Sequence, residues 1–204
     1  RSSPRHRRPR AGGALMDHTL NMLADSVQRL LADTVSHRGT IEAERSGIDQ
    51  SAWDQLAGIG VVGEDASVMS AAELAVVVEA VSAAGALVPY ADSEAVGRWL
   101  AGAADLDAGA GILAVVPIVE GEGKVKVVQG GVQLSIQATS IPWACRSEQV
   151  LFSFRLGEQC VVAVKDAREM QLQRSPSMAD EPHRIVVSGS DLFDNADQVR
   201  ISGQ

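Results

Sequence analysis

The spacing of hydrophobic residues changes once along this chain, near residue 109, and that change limits the folds open to it. Before residue 109, apolar residues recur every three or four positions, which is typical of helices that bury one face. After it, they alternate with polar residues, which is typical of strands. Helices followed by strands predict an α+β fold, with an N-terminal helical bundle followed by an antiparallel β-barrel-like domain.

The first predicted helix starts at about residue 17 and buries a stripe of Leu and Val. Asp17 or Thr19 is suited to cap its start, because both side chains accept a hydrogen bond from a free backbone N–H. Gly39 and Gly47 then bracket a link that we expect to be rich in turns.

Three further helices are predicted before the change of period. A short one places Trp53 and Leu56 on one face. The next starts after Ser70, with Glu73 in the position that completes a capping box. It is apolar around almost its whole circumference to about residue 84, so we expect it to be buried within a bundle. The last covers 94–101.

The second half predicts seven strands, and a proline ends the longest of them. Pro lacks a backbone N–H, so Pro142 belongs at a strand end and leaves Trp143 near the rim of a sheet. Trp143 either plugs the end of a barrel or forms a flat aromatic wall beside a planar ligand, and spacing leaves both open. The strands are expected at 112–117, 124–128, 132–141, 149–156, 160–165, 170–173 and 184–188.

Charge separates a short basic tail from an acidic body. Residues 1–10 hold five Arg, and the first acidic residue is Asp17, which leaves 13 basic against 26 acidic groups in 17–204. We expect residues 1–16 to be a disordered tail, translated upstream of a natural start at Met16 or left by cloning; a nucleic-acid or membrane arm and a transit-like segment are the alternatives. A helical domain at 17–108 and a β-domain at 109–204 follow.

The acidic body argues against a nucleic-acid partner, because phosphate binding needs a basic face. Cys145 and Cys160 provide neither a disulfide framework nor a metal quartet, and each is expected to pack as a small apolar side chain. This pattern of cysteine residues predicts a cytoplasmic protein with no metal site. No apolar run reaches the roughly 18 residues of a membrane span.

The sequence contains no self-sufficient catalytic motif. There is no G-x-G-x-x-G after a predicted strand, no G-x-S-x-G, no P-loop and no H-E-x-x-H. His18, His37 and His183 lie far apart along the chain, so spacing suggests no catalytic pair.

The order of several loose motifs over residues 17–192 resembles the acyl-CoA dehydrogenases, particularly their divergent actinobacterial type. AWDQLAGIGVVG followed by AAELAVVVEAVSAAGALVPY resembles that family's W-x-x-L-x-x-x-G and E-L-x-x-V-x-E-x-x-G-x-x-x-x-P patterns. GGVQLSIQATSIPWACRSEQVLFSF is similar to its segment containing V-P-W-A, and SPSMADEPHRIVVSGSDL to its N-L-A-G-E-P pattern. The matching positions are Trp53, Leu56, Gly60, Glu73, Leu74, Val77, Glu79, Pro89, Met178, Ala179, Glu181 and Pro182.

The resemblance implies a flavoprotein that oxidises the α,β C–C bond of an acyl-CoA thioester, with FAD as cofactor. It places the flavin ring against the end of the strand at 141–144, with Ser140, Pro142 and Trp143 as cofactor-binding residues. Two segments depart from the family: Ser140-Ile-Pro-Trp143 replaces the W-(I/V)-(S/T)-N strand, and AVVPIVEGEG replaces the T-E-P-x-(A/S)-G-S-D loop, of which Pro117 remains.

The family's catalytic base is a Glu in a C-terminal four-helix domain, and the sequence stops before such a domain, so no catalytic residue is assigned. The resemblance therefore implies a polypeptide that is incomplete or needs a partner, in a homo- or hetero-oligomer with another acyl-CoA dehydrogenase subunit and with acyl-CoA as substrate. A non-catalytic partner subunit and a flavin-free α+β binding module are the alternatives.

Overall fold

The computed structural model describes residues 11–201 apart from a few short segments. The basic segment 1–10, Cys145, His183 and the motif from Met178 to Pro182 lie outside the described residues. The other positions left out are 36, 64, 65, 67, 119–122, 129, 130, 157, 171, 175–177, 180, 195–198 and 202–204.

Helices occupy the first half, as the sequence predicts, but one helix starts earlier than predicted and another replaces a predicted link. Helix α1 begins at Ala11, so Asp17 and Thr19 lie inside it and neither caps its start. The segment expected to be a link of turns is helix α2, and Gly39 lies within it. A single helical Gly costs only about 1 kcal/mol, which neighbouring residues can offset. The helices are α1 (Ala11–Thr34), α2 (His37–Ser46), α3 (Gln50–Gly58), α4 (Ala71–Ala84) and α5 (Trp99–Ala103).

Helix α4 is capped at both ends, and its N-terminal cap is the one that the sequence predicts. The Ser70 side chain accepts a hydrogen bond from the Glu73 N–H, and the Glu73 carboxylate accepts one from the Ser70 N–H. Gly85 ends the helix in the left-handed conformation, with φ of 66°. The expectation of burial all round is wrong, because Ala75 is exposed and only the Leu74 face is fully covered.

A π-helix (Ala91–Arg98) precedes α5 and joins the helices to the first strand. Its Gly97 packs directly against β1. A Cβ added there would lie 2.7 Å from Leu113 Cδ2 and 3.0 Å from Val115 Cγ2. Only a residue without a side chain allows the helix and the strand to approach this closely.

In the described part of the chain, eight strands form two four-stranded sheets. The first sheet has the order β1-β4-β5-β8 and the second β2-β3-β7-β6. β8 and the second half of β7 were not predicted. The strands are β1 (Leu113–Ile118), β2 (Gly123–Val128), β3 (Gly131–Pro142), β4 (Gln149–Leu156), β5 (Gln159–Asp166), β6 (Leu172–Arg174), β7 (Arg184–Asp194) and β8 (Val199–Ile201).

The α+β class is confirmed, whereas two details of the β-domain differ from the prediction. β1 pairs with β4 in parallel, from Leu113 opposite Gln149 to Ile118 opposite Phe154. Between them the chain crosses into the second sheet and forms the β2–β3 hairpin there, which returns β4 in the direction of β1. The described strands form two open sheets, and no barrel-like closure is present among them.

Among the described residues, two apolar clusters hold these layers together. One lies among the helices and contains Leu31, Leu56 and Tyr90, each without solvent access. The other lies where α5 meets the first sheet and contains Leu113 and Leu151. Val150 and Phe152, which point to the opposite face of β4, are also buried, so this sheet is covered on both faces.

Candidate functional site

The end of β3 is a sharp, partly exposed turn, and its geometry is unusual. The strand ends at Pro142, and the next residue, Trp143, has a positive φ of 64°. The Trp143 carbonyl accepts hydrogen bonds from the N–H groups of Arg146 (2.8 Å) and Ser147 (3.1 Å). A bulky residue in the left-handed region costs of order 1–3 kcal/mol, which the surrounding structure must offset. This turn therefore fixes the backbone from which the indole projects.

The Trp143 ring is held by a residue from the helical half. Its indole Nε1 donates a hydrogen bond of 2.9 Å to Oδ2 of Asp92, in the first turn of the π-helix. Ile141 and Ala144, on either side of the turn, are buried, whereas Pro142 and Trp143 are partly exposed. The indole N–H is thus occupied and is not available as a donor to a ligand.

The residues that follow Asp92 are anchored in a buried polar network. Glu94 is 1% exposed, and its carboxylate accepts hydrogen bonds from Arg98 Nε (2.6 Å), the Gly63 N–H (3.0 Å) and the Ser93 hydroxyl (2.8 Å). The Ser93 oxygen in turn accepts a bond from the Leu113 N–H in β1. The network joins the π-helix to a loop of the helical half and to the first sheet.

Arg98 completes this network, because its guanidinium also donates to two carbonyls between α5 and β1, those of Gly109 and Gly111. Its positive charge compensates the buried charge of Glu94, as a buried carboxylate requires. Burial raises the pKa of Tyr90 far above its usual range, and the nearby charge of Glu94 raises it further. Tyr90 is therefore neutral at physiological pH and cannot act there as a base.

Apart from the turn after β3, a surface cleft lies where α3 faces the segment before β1. It is an open cleft of about 660 Å³. It does not include the turn after β3. Its lining residues are Gln50, Trp53, Asp54, Ala57, Val62, Gly63, Ala110, Gly111 and Glu148.

The structure places the three predicted site residues along one strand end. Ser140 lies in β3 opposite Val186 of β7. Pro142 is the last residue of β3, and Trp143 follows it. Pro117, the last residue of the strand predicted at 112–117, lies within β1, which is an edge strand where Pro is tolerated. The expectation for Cys160 is wrong, because its side chain is exposed on β5.

The grouping of Asp92, Glu94 and Arg98 was not predicted from the sequence. The i, i+4 spacing of Glu94 and Arg98 was a usable signal for an ion pair on one helix. Nothing in the spacing of Asp92 and Trp143, which are 51 residues apart, could have joined them.

Among the described residues, no helix is long and apolar enough to cross a membrane. Within the same part of the chain, no three His, Cys, Asp or Glu residues come together as metal ligands.

Comparison with known proteins finds solved structures of similar architecture. No family model and no curated protein matches the sequence. Among solved structures, an acyl-CoA dehydrogenase from Mycobacterium smegmatis matches with a TM-score of 0.63 and 17% identity over 90% of this chain. The Tcur3481-Tcur3483 steroid ACAD matches with a TM-score of 0.64 and 18% identity over 88% of this chain. The chain has the acyl-CoA dehydrogenase fold.

The likeness extends to a chain of a two-protein complex. The ChsE4-ChsE5 complex from Mycobacterium tuberculosis matches with a TM-score of 0.69 and 14% identity over 90% of this chain. This chain spans 57% of the matched chains from the two Mycobacterium structures and 58% of that from the steroid ACAD. The acyl-CoA dehydrogenase fold is therefore matched over little more than half of those proteins' length.

Proposed function

We propose that this chain is part of an acyl-CoA dehydrogenase-like flavoprotein that oxidises the α,β C–C bond of an acyl-CoA thioester. The observation that carries the proposal is the match of nearly the whole chain to acyl-CoA dehydrogenases. The sequence motifs support it independently, because they occur in the family's order along the chain. Fold alone does not determine chemistry, so the site must supply the remaining argument.

The end of β3 fits the planar ring of FAD. Trp143 provides an aromatic face that is partly exposed and held by a hydrogen bond at its edge, and Pro142 provides a rigid apolar neighbour. Trp143, Pro142 and Ser140 are the residues that would hold the ring. Bound FAD would supply the hydride acceptor, as cofactors do in oxidoreductases generally. A neighbour of the same fold, XiaF from Streptomyces, was solved with FADH2, at a TM-score of 0.55 and 15% identity.

The protein's own contribution at this place is orientation and exclusion of water. Ile141 and Ala144 are buried on either side of the turn, and the Glu94–Arg98 ion pair anchors the π-helix that carries Asp92. A fixed, partly dry wall lets a planar group bind without reorganising the chain. No described residue is assigned the role of the base that removes the α-proton.

We further propose that the activity requires a second polypeptide or a further helical segment, in a homo- or hetero-oligomer in the cytoplasm. The chain spans 57–58% of its matched structures, and two of those are named as pairs, ChsE4-ChsE5 and Tcur3481-Tcur3483. Either a partner or a further segment that carries such helices would bring the base and cover the acyl-CoA.

A second candidate is a flavin-free binding module or a non-catalytic partner subunit. The cleft beside α3 favours it, because a ligand there would not touch the turn after β3.

Reconstitution with FAD separates these functions. The full chain is incubated with FAD, freed of unbound cofactor by gel filtration, and its visible spectrum is recorded. Retained flavin absorbance supports the flavoprotein, and its absence at saturating FAD favours the binding module. The loaded chain is then assayed with a panel of acyl-CoAs and an artificial electron acceptor. We expect no turnover; a rate above about 1 per second, a typical lower kcat, would contradict the need for a partner.

A further inference from the structure

We propose that Asp92 is a positioning residue, which sets the orientation of the Trp143 ring and through it the shape of the cofactor wall. This inference rests on the proposed function for its ligand, and on the described contacts for its geometry. It assigns a role to a helical-half carboxylate that does not itself need to touch the cofactor.

The first step is that Trp143 cannot orient its own ring. Its backbone is fixed by the left-handed φ and by two hydrogen bonds to its carbonyl, but its side chain can still rotate about χ1 and χ2. The 2.9 Å bond from Nε1 to Asp92 selects one orientation among these rotamers. Because the ring is only partly buried, packing alone constrains it less than a core position would.

The second step is that Asp92 is itself rigidly placed, although its side chain is exposed. The next two residues, Ser93 and Glu94, are buried and hydrogen-bonded to β1 and to the loop at Gly63. The Ser93 N–H also donates to the Pro89 carbonyl, over 2.8 Å. An exposed surface Asp normally gains little from one hydrogen bond, because it loses side-chain freedom. Because the backbone of Asp92 is already fixed, forming this bond costs only side-chain entropy and no further backbone entropy.

The hydrogen bond to Asp92 uses only the edge of the indole ring. A carboxylate accepts the indole N–H as a charge-assisted bond, and this bond itself covers neither face of the ring. A planar ligand can then stack on one face without competing for the N–H. A residue in this role should alter ligand affinity through ring order, and its effect should be recovered by any side chain that retains an acceptor oxygen there.

Two variants test this in the full chain. Asp92→Ala removes the acceptor, and Asp92→Asn retains a carbonyl oxygen at the same distance. The indole N–H signals of the three Trp residues are recorded by ¹H–¹⁵N NMR without flavin and assigned with Trp→Phe variants. We expect Asp92→Ala to move the Trp143 signal upfield and to speed its solvent exchange about tenfold, and Asp92→Asn to retain most of the protection.

Affinity for FAD is measured on the same proteins by titration. We expect Asp92→Ala to weaken binding about five- to tenfold, as loss of one hydrogen bond implies, and Asp92→Asn to recover most of it. Asp33→Ala, an exposed Asp on α1, is the matched control and should leave both readouts unchanged. Melting temperatures of all variants show whether a loss reflects unfolding.

The outcomes separate the two proposals. If the Trp143 signal does not respond to Asp92→Ala, or if FAD affinity does not, the positioning role is overturned while the flavoprotein stands. If Asp92→Asn behaves like Asp92→Ala in both, the acceptor oxygen is not what matters and the role is again overturned. If the wild-type chain binds no FAD, the proposed function fails and the cofactor part of the role fails with it, even when the indole signal confirms the bond.

Discussion

Glu94 is a carboxylate with almost no access to solvent, and its three hydrogen-bond donors come from the π-helix and the loop at Gly63. A buried carboxylate with one cationic partner depends strongly on that partner, because removing the cation leaves an uncompensated charge. Arg98 is this partner, and it also bonds the carbonyls before β1. The connection between the helical half and the first sheet therefore rests on a few polar side chains.

Replacement of Arg98 by Met keeps most of the side-chain volume and removes the charge. We expect Arg98→Met to lower the free energy of unfolding by about 3–5 kcal/mol, the usual cost of breaking a buried ion pair. Chemical denaturation measures it. Arg168→Met is the matched control, because Arg168 pairs with Asp166 at the surface, and its melting temperature should not change. A loss of less than about 1 kcal/mol for Arg98→Met would show that water reaches Glu94.

At this scale the sequence predicted those residues whose role follows from their own backbone chemistry. Pro142 ends a strand because it lacks an N–H, and Ser70 and Glu73 form a capping box because their spacing allows it. The partners of Trp143 and Glu94 could not be predicted in this way. Each bond joins residues that only the folded chain brings together.

Among the elements, α4 begins with a capping box, and the stability that this box contributes should depend on pH. The Ser70 hydroxyl, and then the Ser70 N–H, hold the pKa of Glu73 below its ordinary value of 4.5. A lowered pKa in the folded state means that the contribution to stability is complete well above pH 4.5 and is lost as the pH falls through the folded pKa.

We expect Glu73→Ala to lower the melting temperature at pH 7 by a few degrees, and this difference to shrink as the pH falls below 4.5. Glu73→Gln, which can still accept the Ser70 N–H bond, should lose less. Thermal unfolding followed by circular dichroism at several pH values measures both. A Glu73→Ala difference that stays constant down to pH 3 would contradict the assignment.

The π-helix depends on a glycine for its distance from β1. We expect Gly97→Ala to destabilise the protein by about 1–3 kcal/mol, because the new methyl would overlap Leu113 and approach the Asp92 carbonyl. Gly102→Ala in α5 meets no atom within 4 Å and should stabilise the helix slightly. Denaturant titrations compare the two variants, and equal midpoints would show that the helix can move away from the strand.

Element types followed from periodicity, but strand direction and sheet membership did not. The change of period near residue 109 separates α5 from β1 correctly, because it reflects which faces are buried. The parallel β1–β4 pair depends on a long crossover through the second sheet, which leaves no local signal. Helix α2 was missed because Gly39 and Gly47 were interpreted as turn residues, although only Gly47 has a positive φ.

For the whole molecule, exposed apolar side chains predict association. Val96 and Trp99 lie one turn apart, and their side chains are 44% and 63% exposed. Exposed apolar side chains that cluster usually mark an interface. We expect light scattering to give a mass above that of the 21.4 kDa chain, or a monomer that binds a hydrophobic dye. Trp99→Ser should reduce either signal. A stable 21.4 kDa monomer without dye binding would move support to the self-contained binding module.

The central claim is that the chain has an acyl-CoA dehydrogenase fold whose β3 end holds a flavin against Trp143. Calorimetric titration of FAD into the wild-type chain, Trp143→Ala and Trp99→Ala tests it most directly. The account predicts saturable binding to the wild type, equal binding to Trp99→Ala, and at least tenfold weaker binding to Trp143→Ala. Equal affinity of Trp143→Ala and the wild type, or no binding to any of the three proteins, would contradict it.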